Sequence, residues 1–200
     1  MDKTTPVYSF EEDRLLLEQI TSGNYAAFTA LYNKYIKGLH QYGLKFTADT
    51  TLVEDSLHDL FVWIWARRQE LSIQTSLKSY LIKALRTSLL RRLKEAQRTI
   101  SRDTGAEDHY DFRLTLSPET EIMDKENEWV LRDKVARLLA QLTNRQKEVI
   151  YLRYYEGLSF EEIAGNMNLT MKGCYKLMGR AIATLRELGT PVCILIYCLL

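Results

Sequence analysis

The stretch that most constrains this chain is residues 158–186, LSFEEIAGNMNLTMKGCYKLMGRAIATLR. Its punctuation divides it into two short helices with a tight turn between them. Residues 159–162 (SFEE) form a capping box, with Ser159 as N-cap and Glu162 reaching back from the third helical position. Phe160, Ile163, Ala164 and Met167 then face inward. Asn166, Asn168 and Leu169 suit a turn, and Thr170 is placed to cap the next helix. In that helix Cys174, Met178, Ala181, Ile182 and Leu185 recur at spacings of three and four, so they face a core. The other face presents Lys172, Tyr175, Lys176, Gly179 and Arg180. A helix entering the major groove needs donors for guanine and phosphate, an aromatic or apolar group for thymine methyls, and small residues where backbones come close. This face has all three, and the pattern predicts a helix-turn-helix that reads duplex DNA. The plainer alternative is an amphipathic hairpin with a solvated basic face.

The segment before it is punctuated in the same way. Residues 143–146 (TNRQ) make another capping box, between Thr143 and Gln146. The helix it opens carries apolar Val149, Ile150, Leu152 and Tyr154 and is expected to stop at Gly157, a natural left-handed residue. Apolar spacing is helical nearly throughout the 200 residues, and three prolines and nine glycines leave little room for a sandwich or barrel. The fold class expected is all-α, with one or two domains. At 46% hydrophobic residues the chain can bury real cores.

Three blocks and a tail follow from composition. Residues 13–99 form a first helical domain rich in aromatics. Residues 100–117 (ISRDTGAEDHYDFRLTLS) lose periodicity and read as a flexible linker, able to span ~50 Å if extended. Residues 118–187 form a second helical domain, opened by Ser-Pro-Glu. Residues 188–200 (LGTPVCILIYCLL) make a hydrophobic tail too short to span a bilayer, which takes ~20 residues. Three readings of the tail compete: packing on the last helix, contact with a partner or second copy, or a weak membrane-surface contact.

In the first block Phe28, Leu31, Tyr32, Tyr35 and Leu39 form one helical stripe. Residues 51–54 (TLVE) look like a further capping box opening a helix to about Arg68, with Val53, Leu57, Leu60, Phe61 and Ile64 buried. Its opposite face offers Asp55, His58, Asp59 and Val62, close to Trp63 and Trp65. Aromatic anchors favour protein interfaces and carboxylates repel phosphate, so this face suits a protein partner better than DNA. The alternative is a solvated helix whose tryptophans are partly buried in their own domain. A loop of small and polar residues, 71–77, leads into a cationic helix with a stripe of Leu81, Ala84 or Leu85, Leu89 and Leu93.

The net charge of +1 conceals an uneven distribution. Eight cations and one anion lie between Lys78 and Arg102. Lys83, Arg86, Arg91, Lys94 and Arg98 are expected to line phosphates, which gives a near-neutral chain one local polyanion contact. A solvated helix face or a basic tail is the alternative. Cys174, Cys193 and Cys198 fit no zinc spacing. No metal or cofactor is expected, and a reduced, cytoplasmic setting is the simplest home. The opening residues, MDKTTPVYSFEEDR, are not expected to act as a signal peptide. His40, His58 and His109 lie far apart, and no Gly-rich phosphate loop or nucleophile motif is present. An enzyme with a small-molecule substrate is therefore not expected, nor is stable membrane insertion.

VEDSLHDLFVWIW, followed by SLKSYLIKALRTSLLRRLK, resembles domain two of a bacterial RNA polymerase sigma factor of the extracytoplasmic-function class. LTNRQKEVIYLRYYEGLSFEEIAGNMNLTMKGCYKLMGRAIATLR resembles domain four of the same class. The two likenesses cover most of the chain, in the right order and with a linker of the right length. The resemblance implies that domain two docks on polymerase core and opens the −10 promoter element, while domain four reads the −35 element. By position, Asp55, His58, Asp59 and Val62 fall on the core-binding helix. Ser72, Gln74 and Ser76 fall on the loop that captures a flipped −10 base, and Lys83, Arg86, Arg91 and Arg92 on the helix along the −10 strand. Lys172, Tyr175, Lys176, Gly179 and Arg180 lie on the −35 reading helix. Partners implied are RNA polymerase core, promoter DNA and an anti-sigma factor.

The chain departs from the family in places. Members often have Gln-Glu where it has His58-Asp59, Asn and Asp where it has Thr87 and Arg91, and Thr-Val-Lys where it has Gly173-Cys174-Tyr175. The rival from another class is a dimeric helix-turn-helix regulator that binds duplex DNA without polymerase, with the apolar tail as its dimer contact.

Overall fold

The computed structural model describes residues 10–71, 73, 75–100, 110–114 and 137–187. Every regular element among them is helical. They fall into two compact units, one comprising the described residues up to Leu44 and Ala48–Glu95, the other Lys45–Thr47 and the described residues from Ala96 onward.

In the first unit α1 (Phe10–Thr21) turns sharply into α2 (Tyr25–Gly43). Gly23 supplies the turn with φ +89, a conformation that strains any side chain. Asn24 then caps α2, its amide oxygen accepting from the N–H groups of Ala26 and Ala27. The two helices are tied by Asp13, which is buried and accepts from Lys34 at 2.6 Å and from the Tyr35 hydroxyl at 2.5 Å. A buried carboxylate is tolerated only when its charge is paired in this way.

The helices α3 (Thr50–Ala66) and α4 (Leu77–Ile100) complete the unit. The expected stripe of α3 is buried in full: Val53, Leu57, Leu60, Phe61 and Ile64. Its start lies elsewhere. Asp49, not Thr51, is the N-cap, accepting from Leu52 N–H at 3.1 Å, and Thr51 is already inside the first turn. A carboxylate accepts that bond at least as well as a threonine hydroxyl, so the earlier cap wins. On α2 Leu31, Tyr35 and Leu39 are buried, and Tyr32 is 39% exposed. On α4 the buried stripe is Leu81, Leu85 and Leu89, joined by Ile82. Each such side chain contributes roughly 1.5–3 kcal/mol by leaving water.

The second unit is built on α5 (Asn144–Ile150), a π-helical turn (Tyr151–Tyr155), α6 (Phe160–Asn166) and α7 (Met171–Glu187). Both expected capping boxes form, Thr143 with Gln146 and Ser159 with Glu162. Gly157 takes φ +71, as a chain reversal at that point requires. The helix before it is not uniform as expected. Glu156 N–H bonds to the carbonyl of Tyr151, five residues back, so the last turn widens. Tyr151 and Leu152 both become buried by it.

Within the expected linker Tyr110 and Phe112 are buried. The Tyr110 hydroxyl donates to buried Glu148 at 2.5 Å, and Phe112 N–H donates to the Asn144 side chain at 3.2 Å. Phe46 and Phe112 meet edge to face, 5.1 Å between centroids. Composition marked 100–117 as polar and aperiodic. The two rings in its middle bury too much apolar area to stay in water, and they form part of the second unit. The tail, 188–200, lies outside the described residues. No described helix is long and apolar enough to cross a membrane.

Candidate nucleic-acid interface

The turn between α6 and α7 is made by Asn168, the one non-glycine residue with positive φ (+53) among those described. Asparagine tolerates this conformation better than most residues. Leu169 N–H closes the turn on the carbonyl of Ala164 at 2.8 Å. Thr170 then caps α7 as expected, its hydroxyl accepting from Gly173 N–H at 3.1 Å. Ile163, Ala164 and Met167 of α6 are buried, as are Cys174, Met178, Ala181 and Leu185 of α7. Ile182 and Phe160 are half-buried. Burial raises the Cys174 thiol above its ordinary range, so it behaves as a small apolar residue.

This packing fixes which side of α7 faces outward. Lys172, Tyr175, Lys176, Gly179 and Arg180 are all exposed. Among the described residues no carboxylate pairs with Lys172, Lys176 or Arg180, so three cations share one helix face. A Cβ at Gly179 would meet nothing within 4 Å. Packing therefore does not require this glycine, which costs a helix interior ~0.5–1 kcal/mol relative to alanine. It leaves the outer backbone bare, which suits close approach to another molecule.

What holds Tyr175 is not encoded in local spacing. Its ring lies 4.5 Å from that of Phe160, tilted by 37°. The Arg153 guanidinium sits 4.9 Å from the Phe160 centroid and donates to the carbonyl of Leu158 at 2.8 Å. Phe160, expected to face the core, instead links the first helix of the motif to the reading face. The signal was present as an aromatic at the first position of α6, but its partner is fifteen residues away.

The first unit carries two other surfaces. Along α3, Asp55, His58, Asp59 and Val62 are exposed, as is Trp63 at 43%. A groove of about 1070 Å³ runs beside them between α2 and α3, lined by Tyr32, Leu57, His58, Phe61, Val62 and Trp65 among others. Tyr32 and Phe61 meet at 4.8 Å and Phe28 and Trp65 at 5.1 Å, which stiffens the groove walls. Trp65 is thus largely absorbed by its own unit, and Trp63 remains on the outside.

The cations of α4 divide into three kinds. Lys83 is exposed. Arg91 is exposed and lies 3.3 Å from Glu95 one turn on, while Arg92 pairs with Asp59. Arg86 is only 7% exposed, which corrects the expectation that it lines phosphates. It stands four residues after buried Ile82 and three before buried Leu89, so the helix turns it inward. Ser76 accepts from Ser79 N–H at 3.2 Å and so opens α4. Ser72 and Gln74 lie outside the described residues. No group of three or more metal-ligating side chains occurs among the described residues.

Residues 132–185 match the family described as Sigma-70, region 4, which spans this whole helix-turn-helix. The chain is similar over nearly its full length to two sigma factors. One is the RNA polymerase sigma factor CnrH of Cupriavidus metallidurans, 28% identical, with 89% of this chain and 94% of that protein covered. The other is the ECF RNA polymerase sigma factor SigL of Mycobacterium tuberculosis, 26% identical, with 82% and 92% covered. In fold it is similar to CnrH solved in complex with the cytosolic domain of CnrY, at a TM-score of 0.57, 24% identity and coverage of 88% and 96%. It is similarly close to the sigma factor RpoE solved with the anti-sigma factor NepR from Bartonella quintana, at 0.57, 20%, 80% and 95%. The match to Sigma-70 region 4 over the helix-turn-helix, with sigma-factor relatives along nearly the whole length, makes this all-helical chain similar throughout to sigma factors of the extracytoplasmic-function class.

Proposed function

We propose that this sigma factor is a two-point promoter reader that works only about the scaffold of RNA polymerase core. Residues 118–187 bring α7 to the −35 element, with Lys172, Lys176 and Arg180 as donors and Gly179 as the point of closest approach. Residues 13–99 dock on core through Asp55, His58, Asp59 and Val62. The same block holds the opened −10 strand through Lys83, Arg91 and Arg92, with Ser72, Gln74 and Ser76 at the base-capturing loop.

The observation that carries the reading is the outer face of α7, where three cations with no carboxylate partner among the described residues flank a bare-backbone glycine. One such module is a small reader, burying ~600–1,000 Å². A second DNA contact on the same chain gains through effective concentration rather than new area. Strand opening needs no catalytic residue. It needs capture of an extruded base and cations along single-stranded phosphate, so the protein acts as a binding subunit and not as an enzyme. CnrH and RpoE were solved with protein partners, CnrY and the anti-sigma factor NepR. A comparable inhibitor, competing with core for the α3 face, fits this chain in the cytoplasm.

The test is a gel shift and run-off transcription on a promoter from the protein's own locus, with and without core. Free protein should bind poorly and core should convert it to a specific binder. Tight, specific duplex binding by a free dimer would instead establish the polymerase-independent regulator.

A further inference from the structure

We propose that Tyr175 reads a thymine methyl in the −35 element and that Phe160 is the positioning residue that holds it there. This rests on the reading of α7 as the −35 helix. Tyr175 is 54% exposed and stands on the same face as Lys172, Lys176 and Arg180. An exposed tyrosine on a helix ordinarily samples several rotamers, and fixing it on DNA costs side-chain entropy. Here part of that cost is met in the free protein. The ring packs against that of Phe160, 4.5 Å between centroids, while much of the residue stays exposed.

Phe160 is itself fixed from two directions. It is the first residue of α6, directly after the Ser159 cap, whose hydroxyl accepts from Glu162 N–H at 3.1 Å. Its ring also carries the Arg153 guanidinium at 4.9 Å, and Arg153 is anchored on the Leu158 carbonyl. Arg153, Phe160 and Tyr175 therefore form one connected stack reaching from the helix before the motif to its reading face.

The chemistry of the stack selects its target. The exposed part of the Tyr175 ring offers apolar carbon to the groove beside its hydroxyl. The major-groove feature that apolar carbon recognises is the C5-methyl of thymine. Lys172, Lys176 and Arg180 serve guanine and phosphate, and Tyr175 adds an uncharged element that they lack.

The experiment uses full-length protein with core polymerase and a promoter library randomised across the −35 element. Wild type should select a thymine at one position. Replacing that thymine by deoxyuridine removes only the methyl, and should lower open-complex formation about fivefold, the lower end of what one altered base pair costs. Y175A should lose the methyl sensitivity and keep its preferences at the other positions. F160L should lose the same sensitivity with core binding intact, and F160Y, which keeps the ring, should retain it. F160M is the parallel variant should F160L fail to fold, since it fills the space without a ring face. Undiminished methyl sensitivity in Y175A overturns the thymine contact. Undiminished sensitivity in folded F160L or F160M overturns the positioning role. Absence of any −35 selection by wild type would instead defeat the assignment of α7 itself.

Discussion

Arg92 on α4 donates to the carboxylate of Asp59 on α3, joining two helices across 33 residues of sequence. The pair couples two surfaces that the functional reading keeps apart, the polymerase-docking face and the −10 cations. Asp59 is 64% exposed in its side chain and Arg92 26%. Solvent screens such a pair, so its value to the free fold is ~0–1 kcal/mol. Its larger consequence is geometric: on the proposed function, a partner that takes Asp59 would free Arg92 for DNA.

D59A and R92A should therefore each lower stability by less than about 1 kcal/mol, with a coupling in the double mutant of ~0.2–1 kcal/mol. Urea unfolding of the four proteins measures this. In transcription assays D59A should weaken association with core, while R92A should weaken opening at the −10 element with core association unchanged.

Gly43 lies where α2 meets the start of α3. A Cβ there would stand 2.6 Å from Cγ1 of Val53 and 3.6 Å from Cδ1 of Leu89. Val53 is fully buried and β-branched, so it cannot swing aside. G43A should cost ~1–3 kcal/mol by overpacking, despite alanine's better helix propensity. V53A should relieve part of the clash, and denaturant midpoints of single and double variants test for that rescue.

The two capping boxes of the second unit give a graded prediction. T143A and S159A should each cost ~0.5–2 kcal/mol. S159A should have the greater effect on −35 recognition, since it loosens the helix that carries Phe160. Melting temperatures combined with the promoter-selection assay separate the two variants.

Alkaline pH should destabilise the second unit through Cys174 and Tyr151. Burial raises both groups above their ordinary values of 9.0 and 10.0, and Glu156 adds to the effect on Tyr151. The unfolded chain therefore releases these protons first. Their contribution is intact below about pH 8 and falls as pH rises past the unfolded values. Lys45 acts in the opposite sense, because burial lowers its ammonium below 10.5 and the folded state deprotonates first. The difference from wild type is thus the informative quantity. C174A should lose stability less steeply than wild type between pH 8 and 10.5 in thermal melts, and Y151F should do so above pH 10.

The caps and stripes were legible because they are local. Thr143 needs only Gln146, Ser159 only Glu162, and Leu31, Tyr35 and Leu39 share a face by helical spacing alone. The same locality made residues 51–54 misleading, since Asp49 offers an equivalent cap two residues earlier and the sequence does not rank them. Charge alone marks Arg86 as a surface cation. Its place between Ile82 and Leu89 on α4 turns it inward.

The amino-acid sequence by itself determined that this protein is helical, where its three C-terminal helices begin and turn, and that the last of them presents Lys172, Lys176 and Arg180 outward. Those properties depend on contacts within three or four residues, which spacing encodes directly. Only the tertiary structure decided that Arg92 is bound to Asp59, that Phe160 supports Tyr175, and that Tyr110 and Phe112 are buried. Each joins residues that the chain separates by fifteen or more positions, and such pairs are chosen by how helices pack, which no local pattern records.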